Sequence, residues 1–294
     1  MSDLDTSVLR TVSSSLAGLV AQAAPSVVSV RSHRSRSSGV AWRGDLVVTA
    51  DEALAEDGEI TVSSAKGGSH PARIVGRDPS TDIALLRVEN GGLTPIALRD
   101  ATPAVGALAV AIGARDGLPL AALGAVGFAG PAWRSLRGGV IDARIELDLS
   151  PPRHAEGGVA LDAEGQAFGM TVFGPRRRAL VIPTATVERV AATLERRGHV
   201  PRGWVGLGLQ PVRVGDGGET GLMVMSVDAG GPGAAAGVRQ GDVVVAWDGH
   251  AVGGVGALAR SLGPDSVGQT VVVRLRRGGD PLEVTVTVGE RPAA

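Results

Sequence analysis

The sequence contains no cysteine and no tyrosine, and aromatic residues make up only 2% of it. Without cysteine there can be no disulfide, no thiolate metal site and no cysteine nucleophile, while the compartment stays open. Scarce aromatics mean that any core must be built from Val, Leu, Ile and Ala. A dominant charge is also lacking. The formal net charge of -1 gives no electrostatic case for nucleic acid or an anionic membrane surface as partner. No apolar run approaches the roughly 18 residues of a membrane span. The opening Met1-Ser-Asp-Leu-Asp5 is acidic where a secretory signal would be basic, so the expectation is a cytoplasmic protein, or an extracytoplasmic one if a leader has been trimmed.

What is present points to β structure. At 294 residues two domains are expected, and 44 glycines with 17 prolines imply many turns and short strands. Val8, Val12, Leu16, Leu19 and Val20 recur at helical spacing until Pro25 stops them, which predicts a helical segment over residues 1–24. Arg31-Ser-His-Arg-Ser-Arg-Ser-Ser38 reads as a solvated basic loop, since no aromatics interleave its arginines as a polyanion contact would require. From residue 39 to 182, short apolar strands alternate with Gly, Pro and Asp, a barrel or sandwich pattern. Helix returns once: Thr184 is placed to cap a segment with Val187, Val190, Ala191 and Leu194 on one face and Gly198 past its end. Residues 199–203 form the expected linker. Residues 204–294 carry strands, the turns Asp248-Gly249 and Arg277-Gly-Gly-Asp280, and one short helix with Val255, Leu258, Ala259 and Leu262.

Several strings then line up in order: Leu16-Ala-Gly-Leu-Val-Ala-Gln-Ala-Ala-Pro-Ser-Val-Val28, Ser38-Gly39-Val40, Asp78-Pro-Ser-Thr-Asp-Ile-Ala-Leu-Leu-Arg-Val88 and Val181-Ile-Pro183. Further on stand Arg202-Gly-Trp-Val-Gly-Leu207, Gly230-Gly-Pro-Gly-Ala-Ala-Ala-Gly237 and Gln240-Gly-Asp-Val-Val-Val-Ala-Trp-Asp-Gly249. In this order the chain resembles the HtrA/Deg family, which couples a trypsin-like protease domain to PDZ domains. The resemblance implies a mainly β fold, a trypsin-like double β-barrel over residues 25–198 followed by a PDZ domain, and no cofactor.

The resemblance also implies where a Ser-His-Asp triad should stand. Asp82 matches the aspartate. The histidine position, just after Leu46-Val-Val-Thr49, is Glu52. The nucleophile position, in His154-Ala-Glu-Gly-Gly158, is Glu156, and His154 replaces the glycine two residues before it. An imidazole accepts the serine proton and returns it to the leaving amine, while backbone N–H groups hold the oxyanion. Neither glutamate can perform its predecessor's task, and a side chain at 154 is expected to strain the oxyanion loop. The expectation is a pseudoprotease. Glu52, Asp82 and Glu156, with His154 as a fourth ligand, would form an acidic cluster suited at most to an oxygen-loving divalent cation. An active endopeptidase would need a different register, and no Gly-Asn-Ser-Gly string exists to provide one.

By the same resemblance Trp204-Val205-Gly206-Leu207 is a carboxylate loop. Leu209, Val255, Leu258, Ala259 and Leu262 would line a pocket for the apolar C-terminus of a protein or an unfolded peptide. Expected roles are therefore scaffold, adaptor, quality-control binding protein, or regulatory subunit of an active relative. Residues 1–40 contain no Phe, Tyr or Trp, which weakens the case for the family's trimer contacts.

Overall fold

The computed structural model describes residues 3–56, 58–214 and 219–292, and the chain divides into two units, Met1–Val200 and Pro201–Ala294. In the first unit, helix α1 (Asp3–Ala23) passes through a 3-10 turn at Ala24–Ser26 into a closed six-stranded barrel. Its strands are β1 (Val27–Ser32), β2 (Ser35–Arg43), β3 (Leu46–Thr49), β4 (Ile60–Ser63), β5 (Ser69–Asp78) and β6 (Ile83–Val88), in the spatial order 1-2-3-6-5-4. The second barrel contains β7 (Leu108–Arg115) and β8 (Leu118–Gly130). The small pair β9 (Trp133–Arg134) and β10 (Val140–Ile141) follows, and then β11 (Arg144–Asp148), β12 (Val159–Leu161), β13 (Ala167–Phe173) and β14 (Ala179–Pro183) complete the barrel. Helix α2 (Thr184–Arg197) packs Val187, Val190 and Leu194 against Leu46, Leu85, Met170 and Ile182, joining the two barrels through one aliphatic core. The architecture is thus the mainly β, trypsin-like double barrel.

Three local expectations need correction. Residues 31–38 are not a loop: β1 turns at His33 (φ 51) straight into β2. The inward positions are Ser32, Ser37 and Ser38, all buried, with Ser38 Oγ accepting the Ala114 N–H at 2.8 Å and Ser32 Oγ the Ala55 N–H at 3.1 Å. A strand whose buried face is serine shows no apolar alternation, so periodicity passes over it. Thr184 does not cap α2: Pro183 occupies that position, and the Thr184 hydroxyl is buried without a partner among the described residues. Within the strand pattern of residues 39–182, the apolar stretch Ile141–Leu147 reads as one strand, but Val140–Ile141 belongs to the small pair, so it is two. The far end of α2 behaves as read, with Gly198 left-handed (φ 76) and its N–H on the Leu194 carbonyl at 2.8 Å.

The second unit opens with β15 (Gly203–Trp204), which pairs with the final β22 (Gly289–Glu290). Its main sheet has the order β16 (Leu207–Val214), β17 (Glu219–Val227), β18 (Val243–Trp247), β20 (Thr270–Arg277), β21 (Asp280–Thr287), with β19 (His250–Ala251) beside β18. The short α3 (Pro232–Ala235) and α4 (Val255–Ser261) complete it. Asp248 (φ 47) and Gly249 (φ 77) make the tight turn that an Asp-Gly pair favours. Asp242 is buried and held by the fork of Arg277, Nε to Oδ1 and Nη2 to Oδ2 at 2.8 Å each, which keeps its carboxyl below the usual carboxylate range. Strand β16 pairs with β17 alone, so its other edge is open among the described residues.

Candidate functional site

In the first unit the geometry is set by the loops that follow β3, precede β6 and precede β12. Asp51 is buried and ion-paired to Arg77, whose Nη2 also reaches the Asp51 carbonyl at 3.0 Å and whose Nη1 reaches the Ala55 carbonyl at 3.3 Å. This anchors the loop that carries Glu52. Before β6, buried Asp78 gathers the Ser80 N–H (3.1 Å), the Ser80 hydroxyl (2.6 Å) and the Thr81 hydroxyl (2.7 Å) into a compact turn. That turn delivers Asp82 in the left-handed region (φ 57), where Asp is tolerated better than most residues. Asp82 Oδ1 accepts the Glu52 N–H at 2.8 Å.

The three positions come together. Burial pushes Asp82 up to about 7, the charges of Glu52, Glu156 and Asp51 add to it, and the Glu52 N–H partly opposes them. Glu156 is raised as well, first by burial and then by Glu52, against the Phe173 N–H and the Arg177 charge. Glu52 itself lies half exposed, with its Oε1 3.3 Å from Arg137 Nη2. Such an exposed pair contributes about 0–1 kcal/mol. Arg137 and Arg177 escaped the sequence reading because no spacing or motif announces them. Arg177 (φ 58) lies over the Phe173 ring, 4.5 Å from its centre.

His154 is elsewhere. Its Nδ1 lies 3.3 Å from the Arg36 carbonyl, and its own carbonyl accepts the Ser38 hydroxyl. It sits in a 3-10 turn (Arg153–Ala155) without positive φ, so the backbone strain expected from a side chain at this position does not arise. With His154 turned away and Arg137 beside Glu52, the four-ligand cluster is not assembled. Among the described residues no group of three or more His, Asp or Glu side chains is placed to hold a metal ion.

Two glycines of the string His154–Gly158 have a purely structural cause. Gly157 (φ 81) lies where the two barrels touch, and a Cβ there would come within 2.7 Å of Thr49 Oγ1 and 2.9 Å of the Ala50 nitrogen. A Cβ on Gly158 would run into the Ile112 carbonyl. Both glycines are required by packing, whatever residue occupies 156.

In the second unit the loop Trp204–Leu207 enters the open strand β16. Gly206 has φ 68, and its Cβ would lie 3.0 Å from Gly231 Cα and 3.2 Å from the Trp204 ring. The Val205 and Gly206 carbonyls are taken by the Gly233 and Asp228 N–H groups, each at 2.8 Å. The expected groove residues divide. Val205 and Leu258 are core, 4% exposed each, because the sheet and α4 must bury a face on each other. Leu207, Leu209 and Leu262 are half-buried against that core, while Val255 and Ala259 are exposed.

Fold and order of units define a trypsin-like peptidase domain followed by one PDZ domain. Comparison with known proteins agrees: the trypsin-like peptidase domain family matches residues 37–170 and the PDZ domain family residues 205–288. A probable periplasmic serine endoprotease, DegP-like, of Brucella suis is 30% identical over 263 residues, covering 84% of this chain and 50% of its own. Its namesake from Halomonas elongata is 32% identical over 273 residues, covering 88% and 57%. Among solved structures, the HtrA-type protease AlgW with decapeptide superposes with a TM-score of 0.71 at 23% identity, over 95% of this chain and 99% of that one. The serine endoprotease from Yersinia pestis gives 0.70 at 27%, over 93% and 97%. The chain is similar to HtrA- and DegP-type proteases across both units, and it spans about half the length of the curated relatives it matches. Those relatives are named periplasmic, which overturns the expectation of a cytoplasmic protein. The acidic opening of the sequence carried that expectation.

Among the described residues no helix is long and apolar enough to cross a membrane.

Proposed function

We propose that this protein is an extracytoplasmic HtrA-like peptide-binding protein whose peptidase unit does not cleave. The observation that carries the reading is Glu52 and Glu156 standing beside Asp82, where the resemblance calls for histidine and serine. A protonated or ionised carboxylate at 156 offers no alkoxide, and Glu52 lies against Arg137 instead of a nucleophile. Loss of a whole triad costs about 10⁶-fold in rate. Intact protein is expected to give no labelling with a fluorophosphonate probe at about pH 8, where a triad histidine would be neutral and able to act as base. A single labelled serine would overturn the reading and restore the active endopeptidase.

The binding half of the proposal rests on the open edge of β16 next to the Gly206 loop. An extended ligand adds there as a further strand, and its terminal carboxylate meets the loop's N–H side. Half-buried Leu207, Leu209 and Leu262 favour an apolar last residue. A C-terminal peptide library presented to the intact protein should yield ligands ending in Val, Leu or Ile. Amidating their C-termini is expected to weaken binding by at least about tenfold. Binding that survives amidation would remove the carboxylate loop from the account. Action as a scaffold, a quality-control binder or a regulatory subunit in a mixed oligomer follows from this same capture of peptides. Light scattering distinguishes the last of these by a change in mass on mixing with an active relative.

A further inference from the structure

The basic hairpin β1–β2 is not absorbed by either activity. Arg31 on β1 stands directly opposite Arg36 on β2, and Thr61 of β4 flanks Arg31 on its other side. Two residues back along β1, Ser29 lies between Ser38 and Ser63. Like charges facing each other on adjacent strands are destabilising, so an arrangement of this kind needs compensation. The protein supplies little: among the described residues neither Arg31 nor Arg115 has an acidic partner, and Arg36 reaches Asp116 only at 3.8 Å, with both side chains about half exposed or more.

These groups surround a cavity of about 290 Å³ whose wall includes Ser29, Arg31, Arg36, Ser63, Arg115 and His154. Three arginines and one acidic residue, Asp116, border it. The remaining wall is largely hydroxyl and glycine backbone. Ser29 Oγ accepts the Gly117 N–H at 2.9 Å, which fixes the oxygen and leaves its proton to donate. Such a wall is unsuited to an apolar ligand and repels a cation. Exposed arginines are ordinarily just solvated; here two are opposed in register, two lack a counter-charge, and all three border one concavity.

We propose that this cavity binds a phosphate-type oxyanion, as inorganic phosphate or as the head of a small phosphate monoester. A tetrahedral dianion offers several acceptor oxygens to the planar forks of Arg31, Arg36 and Arg115 and to the serine hydroxyls, and its charge relieves the Arg31–Arg36 opposition. The volume exceeds what phosphate alone fills, leaving space for the organic group of a monoester. The link from His154 Nδ1 to the Arg36 carbonyl ties the cavity to the loop that carries Glu156.

Calorimetric titration of the intact protein at low ionic strength, with inorganic phosphate in one arm and glycerol phosphate in the other, tests the proposal. Saturable binding is expected, weakened at least about tenfold in Arg31→Gln/Arg115→Gln and largely kept in Arg31→Lys/Arg115→Lys. Asp116→Asn should tighten it. Tighter binding of the ester identifies a monoester site, and equal binding identifies free phosphate. Absence of saturable binding, equal heats with chloride, or a Gln variant that unfolds at the wild-type temperature and still binds like wild type would each overturn the proposal. Should the Gln variant fail to fold, the Lys variant and Asp116→Asn still decide the matter by the direction of their changes.

Discussion

At pH 8, Asp82→Asn is expected to unfold at a higher temperature than the wild-type protein. In the unfolded chain this carboxyl ionises near its ordinary value of 3.8, whereas burial and then the Glu52, Glu156 and Asp51 charges hold the native group up to about 7. Between those values the native state keeps a proton that the unfolded state has lost. Stability from this group is therefore full below about pH 4, falls as pH rises toward 7, and stays low above it, where the native state carries a buried ionised carboxylate. The full span is worth about 2–4 kcal/mol. Asparagine is neutral at every pH, keeps an oxygen for the Glu52 N–H, and tolerates the left-handed φ of this position. A rise of roughly 5–10 °C in Tm is expected at pH 8, less than half of it at pH 5 and almost none near pH 4. Scanning calorimetry at the three values checks this. A gain independent of pH would mean that Asp82 does not carry a raised titration.

Gly157→Ala should be among the most damaging single substitutions in the first unit. The change imposes a side chain at φ 81, costing about 1–2 kcal/mol, and drives a Cβ against Thr49 Oγ1, the Ala50 nitrogen and the Ser38 carbonyl, costing about 1–3 kcal/mol more. Thr49 cannot yield easily, because its hydroxyl is bonded to the Ser38 carbonyl at 2.6 Å. Gly44→Ala is the appropriate comparison. Gly44 has φ 51 but nothing within 4 Å of an added methyl, so only the backbone contribution remains and a loss of about 1 kcal/mol is expected. Urea denaturation separates the two. Equal losses would show that the barrel junction is softer than its contacts imply.

These effects explain what could be read from the sequence and what could not. Apolar strands such as Leu46–Thr49 and Ile83–Val88 announced themselves because barrel walls bury runs of Val, Leu and Ile. The strand Ser35–Arg43 did not, because its inward positions near the hairpin are serines satisfied by distant backbone groups such as the Ala114 N–H. Local helix signals held at Gly198, where a left-handed cap depends on one residue, and failed at Thr184, where Pro183 enters from a strand and takes the cap position. Among site residues, order along the chain pointed to Glu52, Asp82 and Glu156 as neighbours, and the charges of Glu52 and Glu156 do reach Asp82. Their compensating arginines, 137 and 177, arrive from loops whose positions depend on the closure of the second barrel. His154 was misplaced for the same reason: the direction of a side chain in a 3-10 turn is set by tertiary contacts. In the groove, only burial could separate Leu258, which is core, from Val255, which is exposed.

The open strand of the PDZ unit carries its own ruler. Midway along β16, Leu207-Gly-Leu-Gln-Pro-Val-Arg-Val214, stands Pro211, opposite Leu222 of β17. Proline has no N–H, so beyond Gln210 an incoming chain finds a gap in the donor row. On the proposed mode of binding, a guest would zip along Leu207–Gln210 and no further. Affinity should therefore stop growing once a ligand supplies about four residues, and two copies of the protein that met edge to edge would lack the continuous ladder on which aggregation depends.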